Sequence, residues 1–297
     1  MFNSKDYFKY KCNKDNIKLK DFLKDEGISS RFYREVTRES VILVNGEITR
    51  KNKTLNKNDE VLIKIPEENL NAEAQEGNIN ILYEDDDILV VNKEPFMVTH
   101  TSKDNMDHTL LNFTCYYFQK NNIKRKVRFA NRLDRDTSGI VIICKNSHAH
   151  SQISEQFEKD TVVKKYIAVT KNNFKEKKGI IEYPIKRSDD GIRRIVAEDG
   201  KYCKTGYEIM EENEKYAIVK LRLYTGRTHQ IRVHLSYMNC PIVGDTLYGS
   251  ESEDINRQAL HCYYIEFNQP RTGERLKIEA PLFEDMRSLI EKKSIYN

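Results

Sequence analysis

The run Ile140-Val141-Ile142-Ile143-Cys144 constrains the fold more than any other stretch of the chain. It is continuous, apolar and mostly β-branched, and Gly139 bounds it. β-Branched side chains sit best on a pleated surface, and a run this short without polar alternation reads as a strand buried on both faces. Such a strand needs a sheet around it and cover on both sides. Immediately before it stand Arg132-Leu133-Asp134-Arg135-Asp136-Thr137-Ser138, so charge and hydroxyls are delivered to the mouth of a core strand. Loops held by rigid elements are where chemistry is usually placed. The competing reading is a solvated turn in which Arg132, Asp134, Arg135 and Asp136 pair with one another, and pairs of that kind are worth little.

The N-terminal part reads as a small α/β module over residues 1–65. Ile17, Leu19, Phe22 and Leu23 are spaced for one face of a helix that Gly27 would stop. Ser29 or Ser30 would cap a second helix, with Arg31, Arg34 and Arg38 on adjoining turns. Val41 to Val44 is a strand ending in an Asn45-Gly46 hairpin turn, and Val61 to Ile65 is another strand. Residues 66–78 are polar and acidic and read as a linker.

A second domain is expected over 79–297. Ile81 to Lys93 is strand, acidic turn, strand; Leu110 to Phe118 is a core helix; a helix capped by Ser147 runs to about Phe157. Val162 to Val169 and Ala217 to Tyr224 are strands, and the block after Gly226 is helical, with Ile231 and Leu235 toward a core. Further strands start at Leu260 and Leu276, and a short helix runs from Glu284 to Ile290. Strands and helices do not alternate regularly, so the class is α+β with a mixed, largely antiparallel sheet and flanking helices.

Composition narrows the setting. The charged fraction is 32%, and no apolar run approaches the ~20 residues that span a bilayer. No apolar segment follows the first residues, so neither a secretory signal nor a membrane is expected. The six cysteines show no Cys-x-x-Cys spacing, which argues against a zinc ribbon and for a reducing, cytoplasmic setting. Net charge is only +4, but residues 1–65 hold 15 Lys and Arg against 10 Asp and Glu. A basic end on a near-neutral body is the pattern of a docking module. The glycines have neither P-loop nor dinucleotide spacing. His229 and His234 are five apart, not the four that align two ligands on a helix, and Asp134 with Asp136 lacks further oxygen ligands nearby, so no metal is expected. On an extended chain Asp134 and Asp136 would point the same way.

Two resemblances extend this reading. The Leu-x-x-Phe-Leu helix, Gly27-Ile28-Ser29, the arginines and Val44-Asn45-Gly46 resemble the S-four-type RNA-binding domain. Arg132-Leu133-Asp134-x-x-Thr137-Ser138-Gly139 resembles the signature of pseudouridine synthases of the ribosomal large-subunit class. Supporting stretches follow in that family's order: Leu89 to Lys93 with Pro95, Lys164-Lys165-Tyr166, Gly226 to Leu235, Gly244-Asp245-x-x-Tyr248-Gly249, Leu260-His261 and Ala280-Pro281. The departures are Asn131 where the family has His, Phe96 where it has Gly, and Thr101 where His is followed by Pro.

The resemblance implies a pseudouridine synthase fold and an intramolecular isomerase: a glycosidic C–N bond breaks, the uracil turns, and a C–C bond forms. No water or redox equivalent is consumed, so no cofactor is needed. It implies Asp134 as the catalytic carboxylate, Arg232 as the cation that keeps it ionised and aimed, and Tyr166 packed against the uracil and able to assist proton removal. Arg132 would hold RNA or occupy the space vacated by the extruded base, and Arg227, His229 and Gln230 would make phosphate or loop contacts. Arg31 and Arg34 would bind RNA from the module. The expected partner is structured RNA, ribosomal first and transfer RNA second, acted on by a monomer. A non-catalytic RNA-binding or ribosome-assembly protein and a nucleoside or glycoside hydrolase are the alternatives; hydrolysis normally uses two separated carboxylates and a water.

Overall fold

The computed structural model describes residues 6–39, 41–101 and 106–293. The apolar residues gather into two main clusters, one drawn from Phe8 to Ile65 and the other from Ile88 to Leu289.

In the first, the helices Leu19–Asp25 and Ser30–Arg38 bury Leu19, Phe22, Leu23, Phe32 and Val36 against a four-stranded sheet. Gly27 lies between them at φ +80°, a conformation glycine adopts without a Cβ penalty. Ser29 caps the second helix, its Oγ accepting from the Phe32 amide at 3.2 Å. Asn45 and Gly46 both have positive φ, as a two-residue primed hairpin turn requires, and join Ile42–Val44 to Glu47–Ile48. The strand Tyr7–Lys11, which pairs along Glu60–Lys64, was not read from the sequence, because Tyr-Phe-Lys-Tyr-Lys mixes aromatics with charge.

Residues 66–78 carry no regular element, but they do not run free. Leu70, Ala72 and Ala74, spaced by two, pack on the large core. Arg128 donates to both carboxylate oxygens of Glu68, and Asn71 exchanges hydrogen bonds with the Val127 backbone. The expected linker is thus an extended strap, and its alternating apolar positions are the signal that overall polarity concealed.

The larger part is built on a ten-stranded sheet, antiparallel at every pairing but one. Ser138–Cys144 is buried along its whole length, as the β-branched run demands. On one side it pairs with Ile88–Lys93, and on the other it runs parallel to Leu260–Asn268. The next strands outward are Val163–Lys171, Tyr216–Leu223 and Thr205–Glu212. Two details correct the sequence reading. Asn146, not Ser147, caps the helix Ser147–Glu158, accepting from the Ala149 amide at 2.8 Å while donating to buried Asp87. The stretch after residue 184 contains a hairpin, Ile185–Arg187 with Arg194–Val196, that its glycines and charges did not announce.

Gly139 sits where the parallel pair closes. At φ +119°, a Cβ there would lie 2.3 Å from the Cys262 carbonyl oxygen. We expect Gly139→Ala to cost about 3 kcal/mol or more through strain and displacement of a core strand; a chemical-denaturation midpoint within error of wild type would contradict this.

The two parts meet through aromatic and ionic contacts. The His148 ring lies 5.0 Å from Phe8 and 5.8 Å from Phe32. Arg271 forms a two-pronged ion pair with Asp87, donates to the Tyr7 carbonyl and stacks on Phe8. Burial pushes the imidazoles of His148 and His261 down to about 4. An unfolded chain would protonate both near 6.5, so the native state binds fewer protons between those values and stability falls as pH drops through that window. Each imidazole is expected to cost about 2 kcal/mol at pH 5 relative to pH 7. Thermal unfolding at the two pH values measures the loss, and His148→Phe should reduce it.

Candidate active site

The loop carrying Asp134 is held from several sides by its backbone. The Thr137 amide donates to the Asp134 carbonyl at 3.1 Å, closing a turn. The Lys93 ammonium donates to the carbonyls of Arg135, Glu94 and Met97, and the Thr99 hydroxyl donates to Leu133. Arg257, paired with Asp285, donates to the Asp136 carbonyl. The Lys93 pKa falls to about 7, chiefly through burial and then through the nearby Arg257 cation. Because the chain turns here, Asp134 and Asp136 do not point together. Asp136 accepts from its neighbour Arg135 at 2.8 and 3.2 Å, so that half of the charge cluster pairs with itself, as in the solvated-turn reading.

Asp134 goes elsewhere. Its Oδ2 accepts from Arg232 Nη1 at 3.1 Å. Arg232 lies in the helix Gln230–Tyr237, and its remaining edge is filled by Asp245, which accepts from Nε at 2.7 Å and Nη2 at 2.9 Å. Asp245 is fully buried and also accepts from the Leu247 and Tyr248 amides. Burial alone would lower the pKa of Arg232; Asp245, with a smaller contribution from Asp134, more than offsets it, so the guanidinium is charged at any working pH. Its plane lies over the Tyr248 ring at 5.1 Å. The sequence had singled out Gly244-Asp245 only as a matching pair. Gly244, at φ +74°, admits no Cβ because the Arg257 carbonyl oxygen would lie 2.2 Å away, and this tight turn aims Asp245 at Arg232.

His229 begins the same helix in the left-handed region, at φ +57°. Its Nδ1 shares a hydrogen bond with the Tyr248 hydroxyl at 2.9 Å, and its Nε2 lies 3.7 Å from Asp134 Oδ2. Burial lowers its pKa, with Asp134 opposing, so the ring is neutral near pH 7. Gln230 is buried, and its amide is used inside the turn. It accepts from Thr225 Oγ1 and the Arg227 amide and donates to the Lys204 carbonyl and Thr205 Oγ1. The Gln230 amide, expected to contact RNA, is committed to the protein's own turn.

Strand register brings Tyr166 to the same place. Cys262 is paired with Gly139 on one side and Tyr166 on the other, so the tyrosine lies two strands from the start of Ser138–Cys144, with a bulge between Lys165 and Tyr166. The opposite neighbour of Tyr166 is Leu221, in the strand that runs into the Gly226–Gln230 turn. Tyr166 is only 7% exposed, and burial raises its hydroxyl pKa well above 10. The phenol therefore keeps its proton near neutrality, which suits packing against a base and removes it as a resting-state proton acceptor. Asp134, Tyr166, Arg232, Arg132, Arg227, His229 and Lys164 all border one cleft of about 340 Å³, within the usual range for small-molecule sites. Lys164, two residues before Tyr166, was part of a matching stretch in the sequence but was given no role there. Asp136 is not part of the lining.

Arg31 and Arg34 lie outside the cleft, exposed on Ser30–Arg38. A chain of contacts connects them to it. Glu35 and Phe32 touch Ser147 and His148; His150, in the field of Arg31, bonds the Phe129 backbone; the Phe129 ring meets His100 at 4.6 Å; and His100 lies in the field of Arg132. Asn131 is spent on structure, its amide pairing with the Ile140 carbonyl and the Ile142 amide.

The chain is also similar to known proteins. The family model described as RNA pseudouridylate synthase matches residues 87–237. The uncharacterized RNA pseudouridine synthase YjbO of Bacillus subtilis is 36% identical over 277 residues, covering 92% of this chain and 98% of that protein. Ribosomal large subunit pseudouridine synthase D of Vibrio cholerae is 34% identical, over 84% of this chain and 82% of its own length. Among solved structures, human RNA pseudouridylate synthase domain containing 1 aligns with a TM-score of 0.59 at 28% identity, covering 70% of this chain and 86% of that one.

Proposed function

From the premise that this chain belongs to the RNA pseudouridylate synthase family and is an isomerase of uridine in RNA, we propose that Asp134 is the carboxylate that carries the reaction, on ribosomal RNA. The observation that bears most weight is the Asp134–Arg232 pair on the cleft lining, backed by buried Asp245. A carboxylate that must attack, or must stabilise a severed sugar, has to stay ionised while a substrate covers it. Water cannot then screen it, so a fixed cation is needed. Arg232 supplies that charge, and Asp245 fixes its direction without competing for the face that meets Asp134.

The uridine enters the cleft extruded from its stack, because a base inside a helix cannot reach a recessed carboxylate. Tyr166 packs on the uracil. The neutral His229 ring borders Asp134 and adds no second positive charge. Arg132 and Arg227, exposed at the rim, meet phosphates, and Arg31 and Arg34 extend the basic face through the N-terminal module, read as an S-four-like RNA-binding unit. Ribosomal RNA is favoured by the name of the Vibrio relative; transfer RNA is the other RNA to assay. We place the protein in the cytoplasm as a monomer. A hydrolase reading has little support, since the second acid, Asp136, is turned to Arg135.

Tritium release from RNA labelled at uracil carbon 5 tests the proposal. Ribosomal RNA from cells lacking the gene should release tritium with the protein, and no free uracil should form. Absence of release from ribosomal or transfer RNA would remove this assignment.

A further inference from the structure

Phe96 occupies an unfavourable backbone conformation. It has φ +63°, in the left-handed region, where a bulky L-residue is an outlier. Its ring is 56% exposed, so burial does not offset the strain. Its place is fixed by the loop that carries Asp134. Lys93 donates to the carbonyls of Glu94 and Met97, on either side of Phe96, and to that of Arg135, while Thr99 donates to Leu133. Burial, and then the Arg132 charge, lower the pKa of His100 at the end of the same segment. An exposed aromatic ring is thereby held on the segment that braces the Leu133–Asp134 stretch of the cleft lining.

Resting on the RNA-uridine reading above, we propose that Phe96 is a specificity-determining residue whose ring stacks on the unpaired base next to the extruded uridine. Base–aromatic stacking works with any base face, and strained residues persist at sites where the complex recovers the cost. The ring then fills the stacking position that extrusion leaves beside the neighbouring nucleotide, while Arg132, on the cleft lining, meets the backbone that carries it.

The test is a set of variants assayed on ribosomal RNA labelled at uracil carbon 5, from cells lacking the gene. Phe96→Gly relieves the backbone and removes the ring, so two changes of opposite sign are expected. The melting midpoint should rise by about 2–4 °C, while KM for tritium release and the filter-binding Kd for the same RNA should rise about tenfold. Phe96→Leu keeps the strain and loses the ring, and should weaken RNA binding with no gain in melting midpoint. Phe96→Tyr should match wild type in both. Unchanged Kd in Phe96→Gly, or a lowered melting midpoint, overturns the proposal, the first because the ring does nothing for RNA and the second because it serves the free fold. A wild type that binds the RNA but releases no tritium would defeat the isomerase reading alone, and Kd would still decide the role of Phe96.

Discussion

Asp134→Asn is expected to fold, to bind RNA, and to lose isomerisation by about four orders of magnitude or more. The substitution preserves shape and removes one charge. Its structural effect should be small, because Arg232 keeps both oxygens of Asp245 and is not left as a bare buried cation. The Asp134 side chain is 24% exposed and the pair it loses is partly solvated, so the cost should be about 1 kcal/mol. RNA affinity should hold or rise slightly, since a negative charge leaves a surface that meets phosphate. Tritium release, filter binding and a thermal melt on the same preparation separate these effects. Release at more than a hundredth of the wild-type rate, with the melt unchanged, would show that another group carries the chemistry.

The contrast between Asp134 and its partners shows what one-dimensional reading can recover. The apolar run from Ile140 announced the central strand, because a strand covered on both faces must be apolar at every position. Ser29, Asn45 and Gly46 were legible for a similar reason: caps and primed turns depend on residue type at one or two neighbouring positions. Sheet order was not legible. That Gly139 and Tyr166 flank the same Cys262 depends on a parallel crossover between strands some 120 residues apart, and no local signal reports it. The expectation that Asp134 and Asp136 face one way failed because alternation holds for extended chain, and the Thr137 amide bends this segment into a turn. Gln230 and Asn131 illustrate a further limit. Both are polar side chains in a stretch rich in functional groups, yet burial commits their amides to the backbone, and burial is a property of the fold.

Asp245 was matched but given no role for that same reason, and its substitution should have the second large effect. Asp245→Asn leaves a neutral amide against Arg232 and the Leu247 and Tyr248 amides. Both carboxylate oxygens accept from donors, so whichever way the new amide turns, its NH2 group faces another donor. Arg232 then keeps only Asp134 as a charged partner, and breaking a buried pair on one side typically costs about 3–5 kcal/mol. The guanidinium should turn toward Asp134 or toward solvent, so kcat should fall about a hundredfold or more although Asp245 lies outside the cleft lining. Arg232→Met together with Asp245→Asn removes both charges. If the deficit in the single variant comes from an uncompensated cation, the double variant should be more stable than Asp245→Asn alone and no more active. A double variant less stable than either single would mean that Asp245 acts mainly through the Leu247–Tyr248 turn, and wild-type kcat in Asp245→Asn would mean that Arg232 needs no second carboxylate to aim it.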